Sequence, residues 1–170
     1  RQRQMCIETG NHYYLESVTR ARRDYKRILQ LKQVLDFIEH NYASPLTLQQ
    51  LSASVSMSPK YFCRFFSEMT HQTPMDYLNH QRIEQACYQL STTDDSITEI
   101  AYRNGFNDLS YFIRTFKKYK GITPGKYKKA SIEKEPEDSH RANLQSSIFI
   151  ITFKTVVLQY LICLLYTSDA

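Results

Sequence analysis

One stretch of the chain occurs twice, and this repeat constrains the fold more than any other feature of the sequence. The segment YFCRFFSEMTHQTPMDY, residues 61–77, returns fifty positions later as YFIRTFKKYKGITPGKY, residues 111–127. The identical pairs are Tyr61/Tyr111, Phe62/Phe112, Arg64/Arg114, Phe66/Phe116, Thr73/Thr123, Pro74/Pro124 and Tyr77/Tyr127. A repeat at a fixed period predicts that one structural unit is built twice.

The composition favours a helical fold for that unit. The 170 residues include only four glycines and five prolines, too few for the many tight turns of an all-β protein. A chain of this length is sufficient for one ordinary domain with extensions. We therefore predict an all-α protein.

Apolar spacing predicts the first helix from Ile28 onward. Leu31, Val34 and Ile38 recur at helical intervals, and the dipeptide Ser44-Pro45 marks the end of the pattern. Residues 1–27 are polar and basic with weak periodicity. They are interpreted as a linker or the remnant of an upstream sensor domain.

Each copy of the repeat is preceded by a short capped helix. Thr47 with Gln50, and Ser96 with Glu99, have the spacing of a capping box. A short turn and a second helix follow in each case, which predicts two helix-turn-helix units, at 46–72 and 96–128. The apolar stripes of the two first helices are offset by 49 positions rather than 50, so one turn is a residue longer. A linker helix at 74–91, about 25 Å long, joins the units.

Two equivalent helices on one chain suit a ligand that itself repeats. Duplex DNA presents its major groove on one face every ~34 Å. The net charge is +5, and seven cations but no carboxylate lie between Leu109 and Ile132. We expect Arg64 and Arg114 to occupy matching non-core positions with no acid nearby. The alternative is an inert duplication of a helical unit.

Residues 30–129 resemble the DNA-binding domain of the AraC/XylS family of bacterial transcription regulators. The resemblance is carried by ITEIAYRNGFNDLSYFIRTFKKYKGITPGKY and by LTLQQLSASVSMSPKYFCRFFSEMTHQTP. It implies a domain of about seven helices within residues 28–130, with both recognition helices in successive major-groove segments of promoter DNA. It also implies a cytoplasmic activator that contacts RNA polymerase, with dimerisation through a separate upstream domain.

The resemblance places the recognition helices at 59–69 and 108–120. The residues expected to face DNA are Lys60, Cys63 and Arg64 in the first helix, and Leu109, Ser110, Ile113 and Arg114 in the second. An arginine can fork onto guanine O6 and N7, and an aliphatic side chain can contact a thymine methyl. The cations expected to contact phosphates are Lys117, Lys118, Lys126 and Lys128.

Two positions depart from the family pattern. Ser56 stands where a turn glycine is common, and His71 stands where a glycine usually ends the recognition helix. A non-glycine residue in a left-handed conformation costs about 1 kcal/mol, so the first unit is expected to be the less rigid.

Catalytic and metal chemistry find no support in the sequence. Cys63, His71, His80 and Cys87 lack the paired spacing of a structural zinc site. Neither a glycine-rich phosphate loop nor a nucleophile elbow occurs in the sequence. We predict a protein that is not an enzyme and needs no cofactor.

The segment 131–170 lies beyond the resemblance. Its first part, SIEKEPEDSHRANLQ, has the composition of an acidic linker. Residues 146–166, here called the hydrophobic tail, are interpreted as a non-native extension, a membrane anchor or an element that pairs with a partner. The rival function is accordingly a membrane-tethered regulator or a helical protein-interaction module, although a membrane partner is disfavoured.

Overall fold

The computed structural model describes residues 2–133, with side chains from Val18 to Ser131. Seven α-helices and no strand occur within these residues, which confirms the predicted all-α class. The helices are α1 (Gln2–Asn41), α2 (Leu48–Ala53), α3 (Pro59–Thr70), α4 (Pro74–Thr92), α5 (Ile97–Arg103), α6 (Leu109–Lys120) and α7 (Pro124–Glu133). The α2–α3 and α5–α6 pairs are the two helix-turn-helix units, and α4 is the linker helix.

The first helix starts earlier than the apolar pattern predicts. It begins at Gln2 rather than Ile28 and continues unbroken to Asn41. Ile28 is the first buried apolar residue of α1 among the described side chains. Residues 20–27 are rich in arginine, lysine and alanine, which favour a helix without burial. No apolar side chain is buried between Val18 and Arg27, so the apolar periodicity does not mark this part of the helix.

Each helix-turn-helix unit has its own hydrophobic core, and α4 belongs to both. The first core joins α1, α2 and α3 to Leu78 at the start of α4. The second core joins α5 and α6 to Ile83, Ala86, Cys87 and Leu90 further along α4. The linker helix is therefore packed along its length rather than suspended between the units.

The repeated aromatic residues form the centre of each core. Phe62, Phe66, Phe112 and Phe116 have no exposed surface. The ring centroids are 5.7 Å apart in the Phe62–Phe66 pair and also in the Phe112–Phe116 pair. These side chains are consequently unavailable for stacking on nucleobases, as their helical spacing indicates.

The helix caps follow the sequence closely. Thr47 and Ser96 form complete capping boxes with Gln50 and Glu99. Ser58 caps α3 through its backbone position, without a side-chain hydrogen bond.

The helix ends and turns distinguish the two units. Ser56 and His71 have φ angles of 55° and 58°, in the left-handed region, whereas the second unit has Gly105 and Gly121 at 81° and 76°. The first unit thus carries strain that glycines relieve in the second.

The turn of the second unit is one residue longer, and Asn107 is the extra residue. The backbone hydrogen bond from Met57 to Ser52 recurs 49 positions later, from Phe106 to Ala101. The next one, from Phe62 to Ser58, recurs 50 positions later, from Phe112 to Asp108, so the insertion lies between Phe106 and Asp108.

The acidic linker and the hydrophobic tail lie almost entirely outside the described residues. Only residues 131–133 of the acidic linker are described, and they form the last turn of α7. In the described part of the chain, no helix combines the length and hydrophobicity needed to cross a bilayer.

Candidate nucleic-acid interface

Helix α3 presents a polar face opposite the first core. Lys60, Tyr61 and Arg64 are exposed, and Cys63 is half-buried. The side chain of Arg64 is 79% exposed, so its guanidinium can reach a ligand in solvent. The three candidate residues of this helix thus share one accessible side.

Helix α6 presents the matching face of the second unit. Ser110, Ile113 and Arg114 are exposed, as are Lys117 and Lys118. Leu109 differs from the other candidates because it is only partly exposed and packs against the second core. A substitution of Leu109 would therefore disturb packing as well as any contact with a ligand.

The candidate phosphate-binding lysines after α6 differ from one another. Lys126 is exposed. Lys128 is half-buried, and its Nζ donates to the backbone carbonyl of Asp95 at 2.7 Å. The Lys128 ammonium thus connects α7 to the start of the second unit, and Lys126 is the better placed of the two for a phosphate.

An acid lies beside Arg64, so the expectation that both arginines lack a nearby acid is wrong. Nε of Arg64 donates to Oε1 of Glu68 at 2.8 Å, one helical turn away. Nη2 of Arg27, on α1, donates to Oε2 of the same carboxylate at 2.9 Å. The hydrogen bond from Arg64, followed by the weaker influence of Arg27, lowers the pKa of Glu68 below its ordinary value.

The second unit has the opposite charge at the matching position. Lys118 stands fifty residues after Glu68, and Arg114 has no ion-pair partner among the described residues. Lys118 instead pairs with Asp76 at the start of α4, with 3.2 Å between Nζ and Oδ1. The hydrogen bond from Thr73, and then the one from Lys118, lowers the pKa of Asp76.

A cleft of about 240 Å³ lies between α4 and the exposed side of α6. Its lining residues are Asp76, Asn79, Tyr111, Arg114, Thr115, Lys118 and Tyr119. Nδ2 of Asn79 donates to the hydroxyl of Tyr111 at 3.0 Å, and the hydroxyl of Tyr119 donates to the backbone carbonyl of Asp76 at 3.1 Å. At this cleft, three polar contacts, counting Lys118–Asp76, therefore join α6 to the linker helix.

Helices α3 and α6 differ strongly in charge. Helix α3 carries two cations and one carboxylate, whereas α6 carries four cations and no carboxylate. Two of the four are paired with carboxylates of α4, Lys118 with Asp76 at 3.2 Å and Lys120 with Glu84 at 2.8 Å. With these two carboxylates counted, α6 still has two excess cations against one on α3, so it has the stronger attraction for a polyanion.

Arg82 of α4 ties the two units together from inside the molecule. The residue is only 7% exposed. Its Nε donates to the carbonyl of Tyr42 at 2.7 Å and its Nη2 donates to the carbonyl of Ser44 at 2.8 Å. The guanidinium carbon also lies 5.7 Å from the ring centroid of Phe106, in the second unit. Sequence reasoning missed both Glu68 and Arg82.

Comparison with known proteins agrees with this architecture. Residues 51–130 match the family model for a helix-turn-helix domain. The C-terminal domain of the response regulator yesN from Fusobacterium nucleatum is 37% identical with a TM-score of 0.55, over 57% of this chain and 95% of that one. A probable AraC family transcriptional regulator from Rhodopseudomonas palustris is 25% identical with a TM-score of 0.56, over 60% and 96% of the two chains. Residues 51–130 thus form a helix-turn-helix domain of the AraC type.

One similar solved structure contains DNA. The DNA-binding domain of AdpA, in complex with a target DNA, is 29% identical to this chain, with a TM-score of 0.60 over 63% of it and 96% of the AdpA chain. The HTH-type transcriptional regulator YdeC of Bacillus subtilis is 34% identical over 100 residues, which are 59% of this chain and 34% of YdeC. The chain thus spans about a third of the length of that relative. Residues 51–130 are a helix-turn-helix domain of the kind that such regulators carry.

Proposed function

We propose that this protein is a sequence-specific transcription activator that inserts α3 and α6 into successive major-groove segments of one promoter site. The observation that carries the proposal is the repeated arginine. Arg64 and Arg114 occupy the same position in two equivalent helices, and both are exposed above an aromatic core. One chain then does what a helix-turn-helix dimer does with two subunits.

The base contacts follow from the chemistry of the two exposed faces. Arg64 and Arg114 are suited to guanine, whose O6 and N7 accept a forked pair of hydrogen bonds. Ser110 can bond to either kind of base edge, and Ile113 can pack on a thymine methyl. Cys63 is short and a weak donor, so the first helix makes fewer base contacts than the second.

The phosphate contacts are assigned to the lysines around these faces. Lys117 and Lys118 lie in α6 and Lys126 follows it, whereas Lys60 lies at the start of α3. Such contacts fix the orientation of the protein on the duplex without reading its sequence. They also release counterions, so binding should weaken steeply as salt rises.

RNA polymerase is the proposed protein partner, and dimerisation is assigned to a domain outside residues 28–130. Both assignments rest on the family resemblance, as does the placement of the protein in the cytoplasm with its promoter. In vitro transcription from a template carrying the selected site checks the direction of regulation. Activation predicts more transcript when the protein is added, and repression would give less.

Selection from a random library of duplexes tests the DNA-binding mode. We expect the whole chain to enrich two short motifs whose centres lie about one helical turn, ~10 bp, apart. Arg114→Ala should lose the preference at one position of one motif while retaining the other motif. A library that emerges unenriched, or with a single motif, would contradict the bipartite mode.

A further inference from the structure

We infer that Glu68 is a positioning residue, which holds Arg64 in the orientation that reads a base and makes the first recognition helix selective rather than strongly attractive. This inference rests on the proposed function, because it concerns how one of the two helices discriminates between sequences. It assigns a role to a carboxylate on the face that is expected to meet a polyanion.

The Glu68 carboxylate is held from two helices at once. Oε1 accepts from Arg64 at 2.8 Å within α3, and Oε2 accepts from Arg27 of α1 at 2.9 Å. The guanidinium of Arg27 in turn lies 5.8 Å from the ring centroid of Phe65, a buried residue of the first core. Arg27 thus fixes the Glu68 carboxylate from the α1 side, and the fixed carboxylate restricts the orientation of the Arg64 guanidinium.

The contact with Glu68 leaves the terminal Nη1 and Nη2 groups of Arg64 free to bind a ligand. A guanidinium has five N–H groups in a rigid fork, and Glu68 engages the Nε side. The terminal Nη1 and Nη2 groups can then approach guanine O6 and N7 together. Because the side chain is already oriented, less rotational freedom is lost when it binds.

The second helix shows what the same scaffold looks like without this contact. Lys118 occupies the position that matches Glu68, and it pairs with Asp76 of α4. Arg114 therefore has no carboxylate one helical turn later to hold it. The cations of α6 attract DNA phosphates whatever the base sequence. In this inference, α6 contributes electrostatic attraction to DNA, and α3 contributes discrimination between base pairs.

A purely stabilising role for the Arg64–Glu68 pair is disfavoured by its exposure. The two side chains are 79% and 45% exposed, and ion pairs so open to solvent contribute little to folding. The thermal midpoint of Glu68→Gln should accordingly stay close to that of the wild type. The effect of the variant should appear in DNA recognition.

The test compares Glu68→Gln with wild type on the selected duplex and on each single-base-pair variant of it. Loss of preference in Arg64→Ala first identifies the base pair that Arg64 reads. Glu68→Gln should reduce discrimination at that base pair about two- to tenfold, the effect of ordering one long side chain only on binding. Affinity for an unrelated duplex should rise, because a carboxylate near the phosphates has been removed.

Two further variants separate positioning from charge. Asp94→Asn removes the same charge from the exposed turn between α4 and α5, and it should leave discrimination unchanged. Arg27→Gln removes the support from α1 but keeps Glu68. It should weaken discrimination at the same base pair by a smaller factor and at no other position.

The outcomes are distinguishable from a failure of the proposed function. If the wild-type protein enriches no motif, the proposed sequence-specific DNA binding is wrong, and the role of Glu68 is wrong as well. If wild type enriches two motifs and Glu68→Gln changes affinity equally for every duplex, as Asp94→Asn would, then Glu68 acts only through its charge. The positioning role would then be overturned while the proposed function stands.

Discussion

The Nη2 atom of Arg82 lies 3.0 Å from the point that a β-carbon on Gly105 would occupy. The same Nη2 donates to the carbonyl of Ser44. The linker helix, the loop between α1 and α2, and the turn between α5 and α6 therefore meet at one place. Carbonyl oxygens of Ala43 and Tyr42 lie 2.8 and 2.9 Å from the same point. The relative position of α3 and α6 is thus set by close backbone packing as well as by α4.

Substitution of Gly105 should be far more damaging than the same substitution at Gly121. Both glycines have left-handed backbones, with φ of 81° and 76°, but the site beside Gly121 is open to at least 4 Å. We expect Gly121→Ala to lower the free energy of unfolding by about 1–2 kcal/mol. Gly105→Ala should cost about 3 kcal/mol or more, because backbone carbonyls must also move. Urea denaturation measures both, and equal losses would show that the packing at Gly105 is unimportant.

Removal of the Arg82 guanidinium should destabilise the fold and loosen the coupling between the units. Arg82→Met keeps much of the volume but leaves the carbonyls of Tyr42 and Ser44 without their donor. We expect a loss of about 2–4 kcal/mol in urea denaturation, typical of hydrogen bonds from a charged group. Arg82→Lys should fall between wild type and methionine, since an ammonium lacks the planar fork that reaches both carbonyls. A methionine variant as stable as wild type would count against this role.

Alkaline pH should destabilise the protein partly through Cys87. Burial raises the pKa of the Cys87 thiol from its ordinary 9.0 to about 12. The contribution to stability is fully present below pH 9 and is lost as pH rises from 9 towards 12, because only the unfolded chain ionises there. Cys87→Ala should therefore lose less stability than wild type between pH 8 and 10. The decline should not vanish, since Tyr119 and Tyr127 also have pKa values raised to about 12.

Identical pH dependence in wild type and Cys87→Ala would mean that the thiol ionises at the same pH in the folded and unfolded chains.

Arg114 and Lys117 should affect DNA binding in different ways. Arg114→Ala should cost about 1–3 kcal/mol of binding free energy and relax the preference at one base pair, if it reads guanine. Lys117→Gln should weaken binding uniformly across sequences and lower the salt slope by about 1. Titrations at several salt concentrations, on matched and mismatched duplexes, separate the two. Uniform loss in Arg114→Ala would reassign that arginine to a phosphate.

Local features of the fold were predictable from the sequence because neighbouring residues determine them. The capping boxes at Thr47 and Ser96 and the buried Phe62 and Phe112 lie where spacing alone places them. The left-handed backbone at His71 likewise follows from its position at the end of α3.

Contacts that depend on distant residues escaped prediction. The start of α1 at Gln2 was missed because residues 1–27 lack the apolar periodicity on which the prediction rested. The Arg64–Glu68 pair has helical spacing that the sequence displays, but its anchor, Arg27, is 41 residues from Glu68. Arg82 reaches carbonyls 38 and 40 residues away, and no pattern within α4 distinguishes it from a surface arginine.

The spacing between the two half-sites tests the fixed pairing of α3 and α6 most directly. Binding would be measured on the selected duplex and on versions with 5 or 10 bp inserted between its two motifs. We predict that either insertion lowers affinity to that of a duplex carrying the α6 motif alone, because about half a turn rotates one motif to the far face and a full turn moves it ~34 Å beyond reach. Unchanged affinity with both insertions would contradict the account, since it would mean that only one helix reads the DNA or that the two units move independently.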